Sequence, residues 1–74
     1  MADKVNFAKD VMLDTLSMRQ GGSLLSEMYL DFSVKDISEK EVREAVKQLE
    51  NENKIAVFMA SDPEFYWQTI IYRK

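Results

Sequence analysis

The chain has 74 residues, of which 46% are hydrophobic, and its 10 basic and 13 acidic side chains give a formal net charge of −3. It contains neither cysteine nor histidine, so disulfides, thiolate chemistry and most zinc sites are excluded, and the commonest general base is missing. The length predicts one small domain over residues 1–74, and the acidic balance argues against strong non-specific nucleic-acid binding but leaves room for a local basic patch.

The first predicted element is a helix over residues 5–19. Apolar residues such as Ala8 and Met12 recur there with the helical period, and Met18 is assigned to the same core surface. Gly21 and its neighbour follow at the position where a left-handed residue commonly ends a helix. A helix with so broad an apolar surface is expected to be a core element.

A second, shorter helix is predicted over residues 24–33. Ser23 or Ser26 is the expected N-cap, because a serine hydroxyl accepts a free backbone N–H of the first turn. Met28 and Phe32 are expected on its buried edge. The elements therefore begin as helix, glycine turn and helix.

The third helix, over residues 38–53, has the strongest local signals. Ser38 followed by Glu41 forms a capping box, in which each side chain bonds the other residue's backbone N–H. The segment has no glycine or proline, and its apolar residues fall at helical spacing, forming one stripe of Val42, Ala45, Val46 and Leu49.

The opposite face of this third helix carries positive charge. At about 100° per residue, a row of cations and one amide aligns away from the apolar stripe, and Lys54 extends the row; its members are Lys40, Arg43, Lys47 and Asn51. One buried face and one cationic face are what a DNA recognition helix requires. A solvated helix stabilised by Glu–Lys pairs remains the alternative interpretation.

The last twenty residues predict an antiparallel hairpin. Residues 54–60 and 65–73 are rich in β-branched and aromatic side chains, and the segment 61–64 between them contains Pro63 and acidic turn residues. Tyr66 and Tyr72 are expected to be exposed. One face of the hairpin must pack on the helices, and the residues expected there are Ile55, Val57, Trp67 and either Ile70 or Ile71.

The order of these elements resembles the winged helix-turn-helix family over nearly the whole chain. The resemblance is carried by Met12-Leu13-Asp14-Thr15-Leu16, Gly21-Gly22-Ser23, Leu25-Ser26-Glu27-Met28 and the run 41–55. It implies an α+β, mostly α fold: a three-helix winged helix-turn-helix with a C-terminal β-hairpin wing. In that family the third helix enters the major groove of DNA.

The resemblance implies a small DNA-binding protein, a transcriptional regulator or accessory factor, whose partner is double-stranded DNA. Lysine and arginine would meet phosphates or guanine edges, and Asn51 could reach adenine. The DNA-binding residues expected from it are Lys40, Arg43, Lys47, Asn51, Lys54 and Arg73. Acidic residues at the wing tip and on the second helix would repel phosphates, so binding should be weak, sensitive to salt or dependent on a dimer; they are Asp62, Glu64, Glu27 and Asp31.

A protein-interaction module, or a small inhibitor using its acidic surface, is the alternative, because one fold serves both functions. We expect no enzyme activity, no catalytic residues, no metal and no cofactor, since the scattered carboxylates and unpartnered serines form no catalytic pattern. Without a membrane-spanning run or a signal peptide, we expect a cytoplasmic protein with no membrane partner. A homodimer through Phe7, Met18 or Tyr72 stays open.

Overall fold

The computed structural model describes residues 2–19, 21–59 and 62–74. Within these ranges the chain forms three α-helices, two 3₁₀-helices and a three-stranded antiparallel sheet. The elements in chain order are α1 (Ala2–Ser17), β1 (Ser23–Leu24), a first 3₁₀-helix (Leu25–Met28), α2 (Tyr29–Val34), α3 (Glu39–Asn51), β2 (Ile55–Phe58), a second 3₁₀-helix (Pro63–Gln68) and β3 (Ile70–Arg73). The fold is α+β and mostly helical, with the layout of a winged helix-turn-helix, as the sequence predicted.

The core lies between α1, α3 and the sheet. α1 contributes Ala8, Met12 and Leu16, and Ile55 and Ile71 enter from β2 and β3. Against them packs the predicted stripe of α3, whose members are all buried: Val42, Ala45, Val46 and Leu49. Burial of this stripe turns the opposite face of α3 toward solvent.

α3 is followed by a residue in the left-handed backbone conformation that is not glycine. Asn53 has a φ of 63°, and the N–H of Lys54 donates to the carbonyl of Leu49 at 3.0 Å. This is the Schellman arrangement, which asparagine tolerates better than most side chains. α2 ends in the same way at Asp36, with a φ of 57°. These two turns fix the ends of the helix-turn-helix unit.

The sheet has the strand order β1-β3-β2, so the hairpin strand β3 lies between its partners. Ile71 pairs with Ser23 of β1 on one side and with Val57 of β2 on the other. The chain enters β1 very close to β3, because a Cβ on Gly22 would lie 2.5 Å from Cε1 of Tyr72. β1 therefore ties the connection after α1 to the C-terminal strand.

Two predictions for the first helix need correction. α1 spans Ala2–Ser17 instead of residues 5–19. Met18 was wrongly assigned to the core, because it follows the end of the helix and is 77% exposed. Met12 and Met28 are fully buried, as predicted.

The segment predicted as a second helix over residues 24–33 is more varied. It begins as β1 and a 3₁₀-helix, and α-helix starts only at Tyr29. Neither predicted serine is the cap: Ser23 lies buried in β1, and Ser26 is within the 3₁₀-helix. Instead, the Glu27 carboxylate accepts the Leu24 N–H at 3.2 Å. α3 runs from Glu39 to Asn51, slightly inside the predicted 38–53.

The predicted strand over residues 65–73 is wrong in its first half. Pro63–Gln68 is a 3₁₀-helix, opened by Asp62, whose carboxylate accepts the Glu64 N–H at 3.0 Å. Tyr66, expected to be exposed, is only 4% exposed. β2 covers Ile55–Phe58 of the predicted 54–60, whose last residue, Ala60, lies outside the described residues, as does Ser61 of the predicted turn. The expected inward residues are confirmed: Ile55 and Ile71 are buried, and Val57 and Trp67 pack against the core.

Candidate nucleic-acid interface

The exposed face of α3 depends on how the helix is anchored at its start. The Ser38 hydroxyl accepts the Glu41 N–H at 3.3 Å, and the Glu41 carboxylate accepts the Ser38 N–H at 2.9 Å, which confirms the predicted capping box. The bond from the Ser38 N–H is the largest cause of the lowered pKa of Glu41, and the Ser38 hydroxyl, which also donates to Oε1 of Glu41 at 2.9 Å, lowers it further. Ile37, just before the cap, is buried and extends the apolar core beneath the first turn of the helix.

The structure separates the six sequence-predicted DNA contacts into two groups. Four exposed residues lie on α3 itself: Lys40, Arg43, Lys47 and Asn51. Lys54 and Arg73 lie beyond the C-terminal end of α3, beside the hydrogen-bonded ends of β2 and β3, where Arg73 pairs with Ile55. Those two also border a concavity next to α1. The first group alone shares one helix face.

Arg43 is the most constrained of the four residues on α3. Its Nε donates to Oε2 of Glu39 at 3.0 Å, one turn earlier. Its guanidinium carbon lies 3.9 Å from the ring centroid of Tyr66 in the second 3₁₀-helix. The Arg43 side chain nevertheless remains 42% exposed. Arg43 therefore links α3 to the segment between β2 and β3 while still facing solvent.

Lys40 and Lys47 are exposed, and among the described residues neither makes an ion pair or a side-chain hydrogen bond. Lys54 differs from them, because its Nζ lies 3.5 Å from Oε1 of Glu52. Glu52 is shared with Lys9 of α1, at 2.9 Å, and that contact is the largest cause of its lowered pKa. Lys40 and Lys47 are thus the cations of α3 that a ligand could bind without breaking a contact between described residues.

Glu27, which was expected to repel phosphates, is already partly neutralised. Its carboxylate forms an ion pair with Arg19 and also accepts the Leu24 N–H. Both interactions lower its pKa, the backbone bond most strongly. The acidic Asp62, Glu64 and Asp31 stay exposed. The repulsion predicted on the second helix is therefore reduced at Glu27, which lies in the first 3₁₀-helix, and remains at Asp31 of α2.

Sequence reasoning missed an aromatic cluster that fixes the segment between β2 and β3. Trp67 contacts Tyr29 edge-on at a centroid distance of 5.0 Å, and it lies 6.1 Å from Phe32 and 6.2 Å from Tyr66. α2 and the second 3₁₀-helix are thereby joined through rings. Four aromatic residues in two separate segments were the available signal, although their pairing required the fold.

The outer face of α2 exposes two aliphatic side chains. Leu30 is 76% exposed and Val34 is 84% exposed, one turn apart and opposite the buried Phe32. Exposed leucine or valine is ordinary when scattered, but a pair on one helix face suggests a contact surface. This surface was not predicted from the sequence.

The described residues bring together no group of three or more carboxylates that could hold a metal ion. In the same ranges, every helix is too short or too polar to cross a bilayer. No protein-family model, curated protein or solved structure significantly matches the chain.

Proposed function

We propose that the chain is a winged-helix domain that binds double-stranded DNA through the exposed face of α3, and that it acts as a small transcriptional regulator or accessory factor. The observation that carries the proposal is that cations and one amide align on the solvent-exposed side of α3, whose opposite side is buried in the core. Those residues are Lys40, Arg43, Lys47 and Asn51.

The four side chains suit different parts of a duplex. Lys40 and Lys47 are exposed point charges that can neutralise phosphates. Arg43 is held in direction by Glu39 and Tyr66, and an oriented guanidinium suits phosphate or a guanine edge. Asn51 presents an amide, the group that reads adenine in the major groove.

The same helix also limits the affinity. Exposed Glu39, Glu44 and Glu50 lie on α3, and the net charge of the chain is −3. Few phosphates can be neutralised against this background, so we expect weak binding that is lost as salt rises. Specificity would come from helix geometry and from Arg43 and Asn51, with little help from overall charge.

A fluorescence anisotropy titration with a labelled mixed-sequence duplex tests the proposal at low and at near-physiological salt. The double variant Lys40→Glu/Lys47→Glu should abolish binding, because both side chains are solvent-exposed and their replacement leaves the packing intact. Lys35→Glu, a charge reversal at the end of α2, is a control that should keep at least half of the affinity. Absence of binding by the wild-type protein at low salt, or equal loss in both variants, would overturn the proposal.

A second candidate is a winged-helix protein-interaction module or small inhibitor, favoured by the exposed Leu30 and Val34 on α2. Burying two such side chains in a partner stabilises a complex by about 1.5–3 kcal/mol each. The acidic surface would then steer a basic partner. Leu30→Ser/Val34→Ser would weaken this function and leave DNA binding unchanged, which separates the two candidates.

A further inference from the structure

We propose that two copies of this chain associate through a self-complementary charged face formed by the outer side of α1 and the neighbouring end of the sheet. This inference is independent of the DNA proposal. A concavity of about 930 Å³ lies between these two parts of the fold. Its acidic side carries Asp10 and Asp14, and its basic side carries Lys54, Arg73 and Lys74. Lys35, after α2, also lines the concavity, and its Nζ lies 5.8 Å from the centre of the Phe7 ring.

The acidic side is unsatisfied within one chain. Asp10 and Asp14 are exposed and lie one turn apart on α1, opposite its buried side. In the described part of the chain, neither carboxylate forms an ion pair or accepts a side-chain hydrogen bond. Both are therefore free to meet cations from another molecule.

The basic side is also largely available. Arg73 is exposed and has no ion-pair partner among the described residues, and Lys74 donates to the amide oxygen of Asn53 at 2.7 Å. Lys54 shares Glu52 with Lys9. Hence the basic edge carries more positive charge than its own neighbours neutralise.

A twofold axis makes these two sides complementary. The acidic side of one copy would face the basic side of the other, and the same contact would be repeated once by symmetry. Phe7, half exposed on α1, and the partly buried Leu13 also line the concavity and supply apolar surface between the charges. With charged residues dominating, the dimer should be weak and should dissociate as salt increases.

Sedimentation equilibrium at low salt, without DNA, tests the proposal. The mass should rise with concentration from 8.6 kDa toward twice that value. Asp10→Lys/Asp14→Lys should raise the dissociation constant about tenfold or more, because it sets like charges opposite each other. Arg73→Glu/Lys74→Glu should do the same from the other side.

Mixing the two variants gives the decisive result. The reversed acidic side of one variant then faces the reversed basic side of the other, and the two unaltered sides also face each other with opposite charges. A heterodimer should therefore form although neither variant self-associates. A chain carrying all four changes should dimerise again. Asp31→Lys/Glu50→Lys, an equal charge change on exposed positions elsewhere, should leave the dimer intact.

Circular dichroism of each variant confirms that α1 is retained, so that loss of association is read on folded protein. A monomer at every concentration would overturn the proposal, as would a dimer that ignores the reversals or a mixture that stays monomeric.

Discussion

The guanidinium of Arg43 lies 3.9 Å from the centre of the Tyr66 ring, which places the middle of α3 against the segment between β2 and β3. The Arg43 side chain is 42% exposed and Tyr66 is buried, so the contact joins the candidate interface to the core. Because the ring orients the guanidinium, this pair affects both the stability of the fold and the direction in which Arg43 extends from the exposed face of α3.

The contact predicts a difference between two neighbouring cations. Arg43→Gln should lower the free energy of unfolding by about 1 kcal/mol, since it removes a cation–π contact and an exposed ion pair. Lys47→Gln, with the same charge change one turn later, should change it by less than about 0.5 kcal/mol. Urea denaturation measures both. Equal effects would show that the Tyr66 contact contributes nothing.

The second 3₁₀-helix should depend on Tyr66 more than on its neighbour. Tyr66→Ala removes a ring that is 4% exposed and should cost about 3 kcal/mol, as large aromatic deletions in cores do. Phe65→Ala changes a side chain that is 52% exposed and should cost less than about 1 kcal/mol. Thermal unfolding followed by circular dichroism distinguishes them; a larger loss from Phe65→Ala would mean that the segment packs the other way round.

The end of α3 predicts a preference for glycine over alanine. Asn53 has a φ of 63°, where any residue with a Cβ is strained. Asparagine can offset this strain through local hydrogen bonds of its side chain and alanine cannot, so Asn53→Ala should destabilise the protein by about 1 kcal/mol. Asn53→Gly relieves that strain and should be at least about 0.5 kcal/mol more stable than the alanine variant. Chemical denaturation of both variants provides the comparison, and greater stability of Asn53→Ala would contradict the left-handed assignment.

Acid should destabilise the fold through carboxylates that accept hydrogen bonds. The pKa values of several described carboxyls are lowered from 4.5, namely those of Glu27, Glu41 and Glu52. Between the folded and unfolded pKa values, the unfolded chain binds more protons, so stability is present above pH 4.5 and is lost as pH falls through the folded values.

Urea unfolding at a series of pH values below neutrality measures this loss. Glu41→Gln should reduce both the stability at neutral pH and its decline in acid, because the glutamine amide accepts the Ser38 N–H more weakly than a carboxylate. Glu50→Gln removes the same charge elsewhere on α3 and serves as the control. A pH profile unchanged by Glu41→Gln would contradict the role of the capping box.

α3 could be predicted because its determinants are local. The Ser38 and Glu41 cap and the apolar stripe lie within one helix, and each forms as its spacing indicates. Residues 65–68 could not be predicted in the same way. Their aromatic character favours strand, but burial of Tyr66 and the contacts of Trp67 with α2 outweigh that preference.

The candidate site was likewise predictable only where it depends on the local sequence of α3. The row on α3 follows from helix periodicity, whereas the position of Lys54 and Arg73 beside α1 follows only from the packing of the sheet. The contact of Arg43 with Tyr66 joins residues far apart in sequence, which periodicity cannot reveal. The two α2 residues exposed to solvent are likewise seen only once the packing of Phe32 is known.

The proposed DNA-binding function requires that duplex DNA contacts the exposed face of α3. Titration of ¹⁵N-labelled protein with an unlabelled duplex, followed by amide chemical shifts at low salt, tests it most directly. The largest shifts should occur at Lys40, Arg43, Lys47 and Asn51, and they should reverse when salt is added. Shifts centred on Leu30 and Val34, or a spectrum unchanged at saturating duplex, would contradict it.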